Sequence, residues 1–317
     1  MDHLPGEIYL YSSQAEQKTC LARFTGNKVA AQYSKDLAII SFIDHGTAEN
    51  LKDLRVTLVS SATLIQRLES TLDRKMIESH EAAGRHLYEI VSVVWDRIRT
   101  SLHSGSLTEG GVQGWIMDEF AKRGLETDHP PIVGVGAHTA DPHYAPEGDG
   151  APLIENEVLQ LDMWAKAPGG IFADISWVGY LGDKVPPEVA EVFDTLVSAR
   201  DGCVEYIGTQ LSAKSPLQGR QVDARAREII ESRGYGKFLK HRTGHSIDTN
   251  CHGSGVNLDS IEFPDSRLLI EGSCFSIEPG IYTETFGLRT EIDVYIQKGK
   301  PVVSGGEPQT EVLSLSD

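Results

Sequence analysis

The chain repeats one order of elements, two helices followed by a pair of strands. The first copy consists of two predicted helices and two predicted strands, over residues 73–105, 108–124, 157–166 and 171–180. The second copy has the same four elements, over residues 186–207, 221–233, 274–277 and 288–296. Repeated units of this kind pack as two similar halves. The order therefore predicts an α+β domain with an internal pseudo-twofold axis and a site between the halves.

Acidic residues interrupt both strands of the first predicted hairpin, which are otherwise apolar. Asp162 lies in the strand over 157–166 and Asp174 in the strand over 171–180, and the two are symmetric about Pro168 in the turn. A regular hairpin would place them directly opposite each other, with Cβ atoms about 4.5–5.5 Å apart. Two carboxylates at that distance repel each other, so they require a shared proton or a cation between them.

The second predicted hairpin carries the same kind of pair. Glu278 follows the strand over 274–277, and Glu291 lies in the strand over 288–296. A loop of two or four residues would place these glutamates opposite each other. A single acid of this kind is more often exposed or ion-paired, but a buried unpaired carboxylate is costly. Four acids at matching places in two apolar hairpins therefore predict a divalent-metal site.

Histidines near both hairpins would complete such a site. His143 precedes the first hairpin, and His245 and His252 lie in the glycine-rich stretch over 243–255, before the second. Each histidine alone has an ordinary structural explanation, but their placement at the mouths of both hairpins favours a role in binding or catalysis. On these residues alone, an α+β domain with a purely structural cation site stays open as an alternative.

Residues 1–72 differ in pattern from residues 73–317. The N-terminal segment contains three short β-like runs, over residues 8–11, 37–43 and 55–59, separated by polar stretches. It contains few candidate catalytic groups. We therefore expect a small α/β segment that serves packing or dimer formation, followed by a catalytic domain over residues 73–317.

Composition limits the partners and the compartment. The chain has 46 acidic and 29 basic residues and a net charge of −17, which disfavours nucleic acid and anionic membranes as partners. It contains no apolar run of the roughly 18 residues that a membrane span needs, and its start lacks the basic region of a secretory signal. Its four cysteines are scattered without a CxxC pair. These features are typical of a cytoplasmic protein with reduced thiols.

Four groups of residues together resemble the metal-ligand blocks of the pita-bread metallopeptidases, which include methionine aminopeptidase, aminopeptidase P and prolidase. The groups are Asp162 with 173–176 (ADIS), Gly244–His245 with His252, 277–282 (IEPGIY) and 287–291 (GLRTE). The resemblance covers roughly residues 74–300 and implies the pita-bread fold for the catalytic domain. The sequence IEPGIY and the arginine of the last group favour the aminopeptidase P and prolidase branch.

The resemblance implies two divalent metal ions. Asp162 is similar to the terminal aspartate ligand of one metal. Asp174 and Glu291 are similar to the two bridging carboxylates, and His245 and Glu278 to the remaining ligands of the second metal. Such oxygen-rich ligand sets fit Mn²⁺, which we expect here, and also Co²⁺, Zn²⁺ or Fe²⁺.

The resemblance also implies catalytic roles. His143 would lie near the substrate amine or leaving group, and His252 would hold the scissile carbonyl. Arg289 matches the arginine of the family's R-x-E block, and Glu278 would also pass a proton to the leaving nitrogen. The expected reaction is attack of a hydroxide, shared by the two ions, on an Xaa-Pro peptide bond near the N-terminus of a peptide or dipeptide. Members of this family commonly form homodimers, so the resemblance also implies a homodimer.

The sequence departs from the family pattern around the pocket and keeps all five ligand positions. Trp164, Trp177 and Asp248 stand near these positions and would reshape the substrate pocket. The alternatives are another hydrolase on the same fold, either similar to methionine aminopeptidase or acting on a non-peptide amide or ester, and a catalytically dead binding module. The native metal, the length of the substrate and the preferred residues on either side of the cleaved bond stay open.

Overall fold

The computed structural model describes residues 7–316, and the chain forms two compact units, Met1–Ile65 and Gln66–Asp317. The first unit contains α1 (Gln14–Phe24), β1 (Lys28–Ala31), α2 (His45–Asp53), β2 (Thr57–Ser60) and the start of α3 (Ala62–Glu69). Strands β1 and β2 pair in parallel, and α2 connects them along the chain, as parallel neighbours require. The expected α/β character is confirmed. The domain division expected at residue 72 stays a prediction.

Two of the three β-like runs expected in this unit are wrong. Residues 8–11 are exposed and form no strand. Within residues 37–43, a single 3₁₀ turn over Ala38–Ile40 forms instead, and it buries Leu37 and Ile40. The third run overlaps β2, whereas β1 was missed because its sequence KVAA has only one β-branched residue. A strand this short depends on its partner, which local patterning does not reveal.

In the second unit the helices occur as two pairs. They are α4 (Arg74–Ser101) with α5 (Glu109–Arg123), and α6 (Pro187–Ser212) with α7 (Gly219–Ser232). Asp73 and Thr108 cap α4 and α5 by accepting backbone N–H groups. Gly124 ends α5 in the left-handed conformation, with φ at 66°. Among residues 7–316, no helix has both the length and the apolar character that crossing a bilayer requires.

The strands of the second unit form antiparallel sheets. They are β3 (Ile132–Val135), β4 (Val158–Ala165), β5 (Ala173–Tyr180), β6 (Cys274–Ile277), β7 (Gly280–Tyr282), β8 (Gly287–Arg289), β9 (Ile292–Gln297) and β10 (Lys300–Val303). The orders are β3–β4–β5, β10–β9–β6 and β7–β8.

Each helix pair packs against its own strands. One buried cluster joins α4 and α5 to the first sheet, through Leu87, Ile116, Leu161 and Ile175 among others. Another joins α6 and α7 to the strands of the second copy, through Leu196, Val222, Phe275 and Val294 among others. The α+β fold with two similar halves, expected from the repeated order of elements, is confirmed.

The register of the β4–β5 hairpin differs from the expected one. Asp162 pairs with Ser176, and Asp174 pairs with Trp164. The two aspartates are therefore diagonal neighbours on one face of the sheet, and the expectation that they lie directly opposite each other is wrong. The loop between the strands is centred one residue after Pro168, which shifts every pairing by two positions along one strand.

The second hairpin has the expected register. Ile277 pairs with Ile292 and, further out, Gly280 pairs with Arg289. The strands therefore keep one register on both sides of positions 278 and 291, which places these two glutamates across from each other. The loop is the four residues 283–286, one of the two lengths that permit this arrangement.

Candidate metal centre

The structure brings the five predicted ligand residues to one cavity of about 560 Å³ in the second unit. Asp162 lies on β4, Asp174 on β5, His245 in the loop before β6, and Glu278 and Glu291 beside the β7–β8 hairpin. The ligand atoms of Asp162, Asp174 and Glu291 lie within 4.8 Å of one another, as do those of His245, Glu278 and Glu291. Glu291 belongs to both groups. The geometry therefore gives two adjoining groups of side chains that share a carboxylate, and each group could hold a cation.

A serine on each hairpin orients these side chains. On β5, the Ser176 hydroxyl donates to Asp162 Oδ1 at 2.5 Å and lies 3.0 Å from Glu291 Oε2. On β6, the Ser276 hydroxyl accepts the backbone N–H of His245 at 3.0 Å. Both serines are buried on strands. Each serine therefore holds the candidate ligand that it contacts at a fixed position relative to its sheet.

The histidine loop is held close to β6. A Cβ at Gly244 would lie 2.0 Å from the carbonyl oxygen of Ser276, so only glycine permits this approach. Further along the loop, the buried Asp248 accepts backbone N–H groups of Asn250 at 2.8 Å and Ser254 at 3.0 Å. These bonds fix the backbone that carries both histidines of the loop.

Two of the buried carboxylates lack the partners that a carboxylate needs. Asp174 is 4% and Glu291 3% exposed, and Asp174 Oδ1 and Glu291 Oε1 have no hydrogen-bond partner in residues 7–316. Burial, followed by the charge of Asp162, raises the pKa of Asp174 well above its usual value, and burial and Asp174 do the same for Glu291. Buried oxygens that repel one another and face a cavity fit divalent cations.

Asp162 differs because an arginine neutralises it. The Arg289 guanidinium is ion-paired with Asp162 through Nη2. It also donates from Nε to Ser176 at 3.1 Å and from Nη1 to the carbonyl oxygen of Pro142 at 3.2 Å. Within residues 7–316, no lysine or arginine lies within 4 Å of the carboxylates of Asp174 or Glu291. Neither residue is therefore compensated by a lysine or arginine side chain, and the same holds for the neighbouring Asp293, whose Oδ1 also has no partner in residues 7–316.

The histidines have different surroundings. His245 is buried with its Nε2 3.4 Å from Glu278 Oε1 and 3.5 Å from Asp174 Oδ2. Burial lowers its pKa, which favours the neutral imidazole that binds metals. His252 lies edge-on to His245, with ring centroids 4.2 Å apart, and burial and His245 lower its pKa to about 4. His143 is exposed and lines the same cavity.

Of the three residues expected to reshape the pocket, only Trp164 is among those that line it. Its indole N–H donates to Asp128 Oδ1 at 2.6 Å. Trp177 instead packs edge-on against Tyr88 of α4, with centroids 5.9 Å apart, and Asp248 holds the histidine loop. The expectation that Trp177 and Asp248 reshape the pocket is wrong. Trp177 points to the helix side of β5, and the carboxylate of Asp248 accepts backbone N–H groups of its own loop.

A buried glutamate that the sequence analysis did not identify supports the loop bearing His143. Glu109, in the first turn of α5, is fully buried. Its carboxylate accepts the N–H groups of Val135 at 2.9 Å and Ala151 at 2.7 Å, the Tyr144 hydroxyl at 2.6 Å and, at 2.9 Å, His138 Nδ1. Its partners are 26 to 42 residues away along the chain, so no local pattern marks it.

Two further residues behind Asp174 were also not identified. Asp293 Oδ2 accepts the backbone N–H of Asp174 at 2.8 Å. The Cys251 thiol donates to Asp174 Oδ2 at 3.0 Å. The alternation of β9 places Asp293 on the face of Glu291, which is a signal that could have found it. Cys251 carries no such signal, because it lies in an irregular loop.

Comparison with known proteins identifies relatives of this arrangement. The profile of metallopeptidase family M24 matches residues 75–298. An Xaa-Pro dipeptidase of Lactobacillus helveticus is 28% identical over 233 residues, which are 73% of this chain and 58% of that protein. The chain thus aligns with little more than half the length of this relative.

Solved structures show the same fold. The X-Pro aminopeptidase of Thermotoga maritima superposes with a TM-score of 0.67 at 21% identity, over 94% of this chain and 78% of that one. Dipeptidase PepE of Mycobacterium ulcerans superposes with a TM-score of 0.71 at 23% identity, over 90% and 71%. These likenesses confirm the expected pita-bread architecture.

Proposed function

The chain belongs to metallopeptidase family M24, and we propose that it is a dinuclear-metal-dependent peptidase that hydrolyses the Xaa-Pro bond at the N-terminus of a peptide or dipeptide. The observation that carries this proposal is the pair Asp174 and Glu291, whose unpartnered buried oxygens face one cavity. Relatives named Xaa-Pro dipeptidase support the substrate class.

In this proposal the five side chains divide between two cations. Asp162 would hold one ion, His245 and Glu278 would hold the other, and Asp174 and Glu291 would contribute to both. We propose Mn²⁺ as the ion, with Co²⁺, Zn²⁺ and Fe²⁺ as alternatives, because four of the five donors are carboxylates. When bound, a pair of such ions supplies an acidified water and polarises the scissile carbonyl.

The residues of the chain position and protonate the substrate. His252 is neutral and beside His245, so its ring N–H is available to donate to the scissile carbonyl oxygen as negative charge develops there. Glu278 is placed to take a proton and return it to the leaving nitrogen. Arg289 holds Asp162 in place, and His143 at the cavity wall would contact the substrate amine or the leaving residue.

The charges in the cavity favour a short substrate. Lys240 and Arg242 line the cavity that also contains the five acidic and histidine ligands. A dipeptide has a free α-carboxylate close to the cleaved bond, and these cations would attract it. We propose a dipeptide as the preferred substrate on this basis. We also propose a cytoplasmic homodimer; the four free cysteines support the reducing compartment.

A substrate panel tests the proposal. The metal-stripped chain, reloaded with Mn²⁺, is assayed with an Xaa-Pro dipeptide, its C-terminal amide, a longer Xaa-Pro peptide and a Met-Ala peptide. We expect chelator-sensitive cleavage that is fastest for the free dipeptide and slower for its amide. Preference for the methionine peptide would support a methionine aminopeptidase-like enzyme. Cleavage of none of these peptides would contradict the proposal.

A further inference from the structure

We propose that Cys251 is an additional, thiolate ligand for the metal held by Asp174 and His245. This gives that position a preference for thiophilic divalent ions such as Cd²⁺ and Zn²⁺ over Mn²⁺. The inference rests on the two-metal centre proposed above and adds a ligand to one of its two positions.

The geometry places the sulfur among the ligand atoms. Cys251 Sγ lies 3.0 Å from Asp174 Oδ2, and one ligand atom each from Cys251, Asp174 and His245 lies within 4.8 Å of the other two. Cys251 lines the same cavity as the carboxylates and is 5% exposed. A sulfur, an oxygen and an imidazole nitrogen at these separations can contact one ion with small side-chain movements.

An independent observation points to a cation at this place. Asp174 is buried, and its Oδ1 has no hydrogen-bond partner in the described residues. Its Oδ2 accepts the Cys251 thiol. His245 Nε2 lies 3.5 Å from that second oxygen. The charged acceptor therefore faces two groups that are themselves metal ligands, and a cation would satisfy all three.

The loop holds the sulfur in position. On one side of Cys251, Asn250 is tied to Asp248 through its backbone N–H; on the other, Gly253 donates its N–H to the Ser246 carbonyl oxygen at 2.7 Å. The loop is also tied to the residue that precedes β5, because the backbone N–H of Phe172 donates to the carbonyl oxygen of Asp248 at 3.1 Å. The thiol is thus directed at Asp174 by fixed backbone on both sides.

The ion chosen determines what the thiol does. With a hard ion such as Mn²⁺, the thiol keeps its proton and continues to donate to Asp174. With a thiophilic ion, a metal–sulfur bond forms, the S–H bond breaks, and the proton leaves to solvent. Softness of the ligand thereby separates Cd²⁺ and Zn²⁺ from Mn²⁺ at this position alone.

The test compares metal binding to the metal-stripped full chain and two variants. Cys251→Ser removes the thiol at the cavity, and Cys274→Ser, which changes another buried cysteine of the same apolar cluster, is the matched control. Loss of even an indirect metal partner costs about tenfold in affinity or more, so we expect Cd²⁺ affinity to fall at least that much in Cys251→Ser. Mn²⁺ affinity should be nearly unchanged in both variants.

Ultraviolet absorption supplies a readout that needs no activity. Cd²⁺ added to the unmodified chain and to Cys274→Ser should produce a sulfur-to-metal charge-transfer band, and Cys251→Ser should lack it. Equal Cd²⁺ affinity in all three proteins, or Cd²⁺ binding to the unmodified chain without the band, would overturn the inference. If Mn²⁺ still binds in that case, the two-metal centre stands; if no divalent ion binds, both proposals fail. Cys251→Ala serves if the serine variant does not fold.

Discussion

Arg289 is ion-paired with Asp162 inside the cavity, so one carboxylate of the centre is neutralised by the chain itself. Asp174 and Glu291 receive no such compensation. The centre therefore contains one carboxylate that is paired with a permanent positive group and, beside it, two that are not. This asymmetry leads to distinct expectations for the removal of each charge.

Removal of the arginine should destabilise the metal-free protein most. Arg289 is 6% exposed, and loss of one member of a buried ion pair costs about 3 kcal/mol or more. In Arg289→Ala we expect the free energy of unfolding to fall by that amount without metal and by less with Mn²⁺, because cations then neutralise Asp162. Urea unfolding with chelator and with Mn²⁺ measures both values.

A second buried arginine provides the control. Arg267 is paired with Asp265 through Nη2 at 2.6 Å, and neither residue lines the cavity. Arg267→Ala should destabilise the protein equally with and without metal. An Arg289→Ala loss that is likewise independent of metal would contradict the role assigned to the arginine.

Replacement of an uncompensated acid should have the opposite effect. The pKa of Asp174 is raised in the folded chain, so its protonated form is stabilised by folding. Its contribution to stability is present below the unfolded value of about 4 and is lost as pH rises through the raised folded value. Metal-free Asp174→Asn should therefore be more stable than the metal-free parent at pH 8, and this advantage should shrink towards pH 4.

Thermal unfolding across this pH range measures the difference. With Mn²⁺ the order should reverse, because the asparagine removes a bridging ligand. As a control, Asp265→Asn breaks a compensated pair and should destabilise the protein at pH 8. A parent that is more stable than Asp174→Asn at pH 8 in the presence of chelator would count against repulsion at this site.

His252 should affect turnover and leave metal content intact. Removal of a single donor to a developing oxyanion typically lowers kcat by about a hundredfold or more, which is the loss we expect for His252→Ala. Metal analysis of the same preparation should give an unchanged ion content. His129 lines the same cavity with an exposed side chain, and His129→Ala should retain nearly full kcat. Loss of bound metal in His252→Ala would show a ligand role instead.

Glu109 should matter although it lies outside the ligand set. In Glu109→Gln an amide would face groups that all donate, and a buried donor without an acceptor costs about 1–3 kcal/mol. We expect that loss of stability together with a raised KM, since the loop bearing His143 is tied to this carboxylate. Glu119→Gln on the same helix removes pairs with Lys122 and Arg123 and should cost less. Equal effects of the two variants would remove the special role of Glu109.

Some of the fold and the site could be predicted from the sequence because the determining signals are local. Asp73 and Thr108 cap helices that follow them directly, and the acids conflict with the apolar strands around them. The offset between Asp162 and Asp174 could not be predicted, because the loop between their strands sets it. Strand β1 could not be predicted either, since its backbone hydrogen bonds to β2, and not its own sequence, stabilise it.

The contacts that complete the site are non-local. The donors to Glu109 lie between the end of β3 and Ala151, 26 to 42 residues along the chain. The thiol of Cys251 reaches Asp174 across 77 residues. The four acids could nevertheless be proposed as ligands, because a buried charge without a partner is improbable on physical grounds wherever it occurs. His245 was added as the fifth candidate through the resemblance to the pita-bread metallopeptidases. Candidate ligands can thus be proposed from sequence, whereas the residues that orient each candidate require the structure.

The central claim is that the acidic cluster exists to bind two cations that are needed for peptide hydrolysis. The most direct measurement is the Mn²⁺ stoichiometry of the metal-stripped chain and of Glu291→Gln, with Xaa-Pro dipeptide hydrolysis followed at each addition of metal. The account predicts about two ions per chain with activity that rises as they bind, and loss of both in the variant. Full activity in the stripped chain, or full binding and turnover in Glu291→Gln, would contradict it.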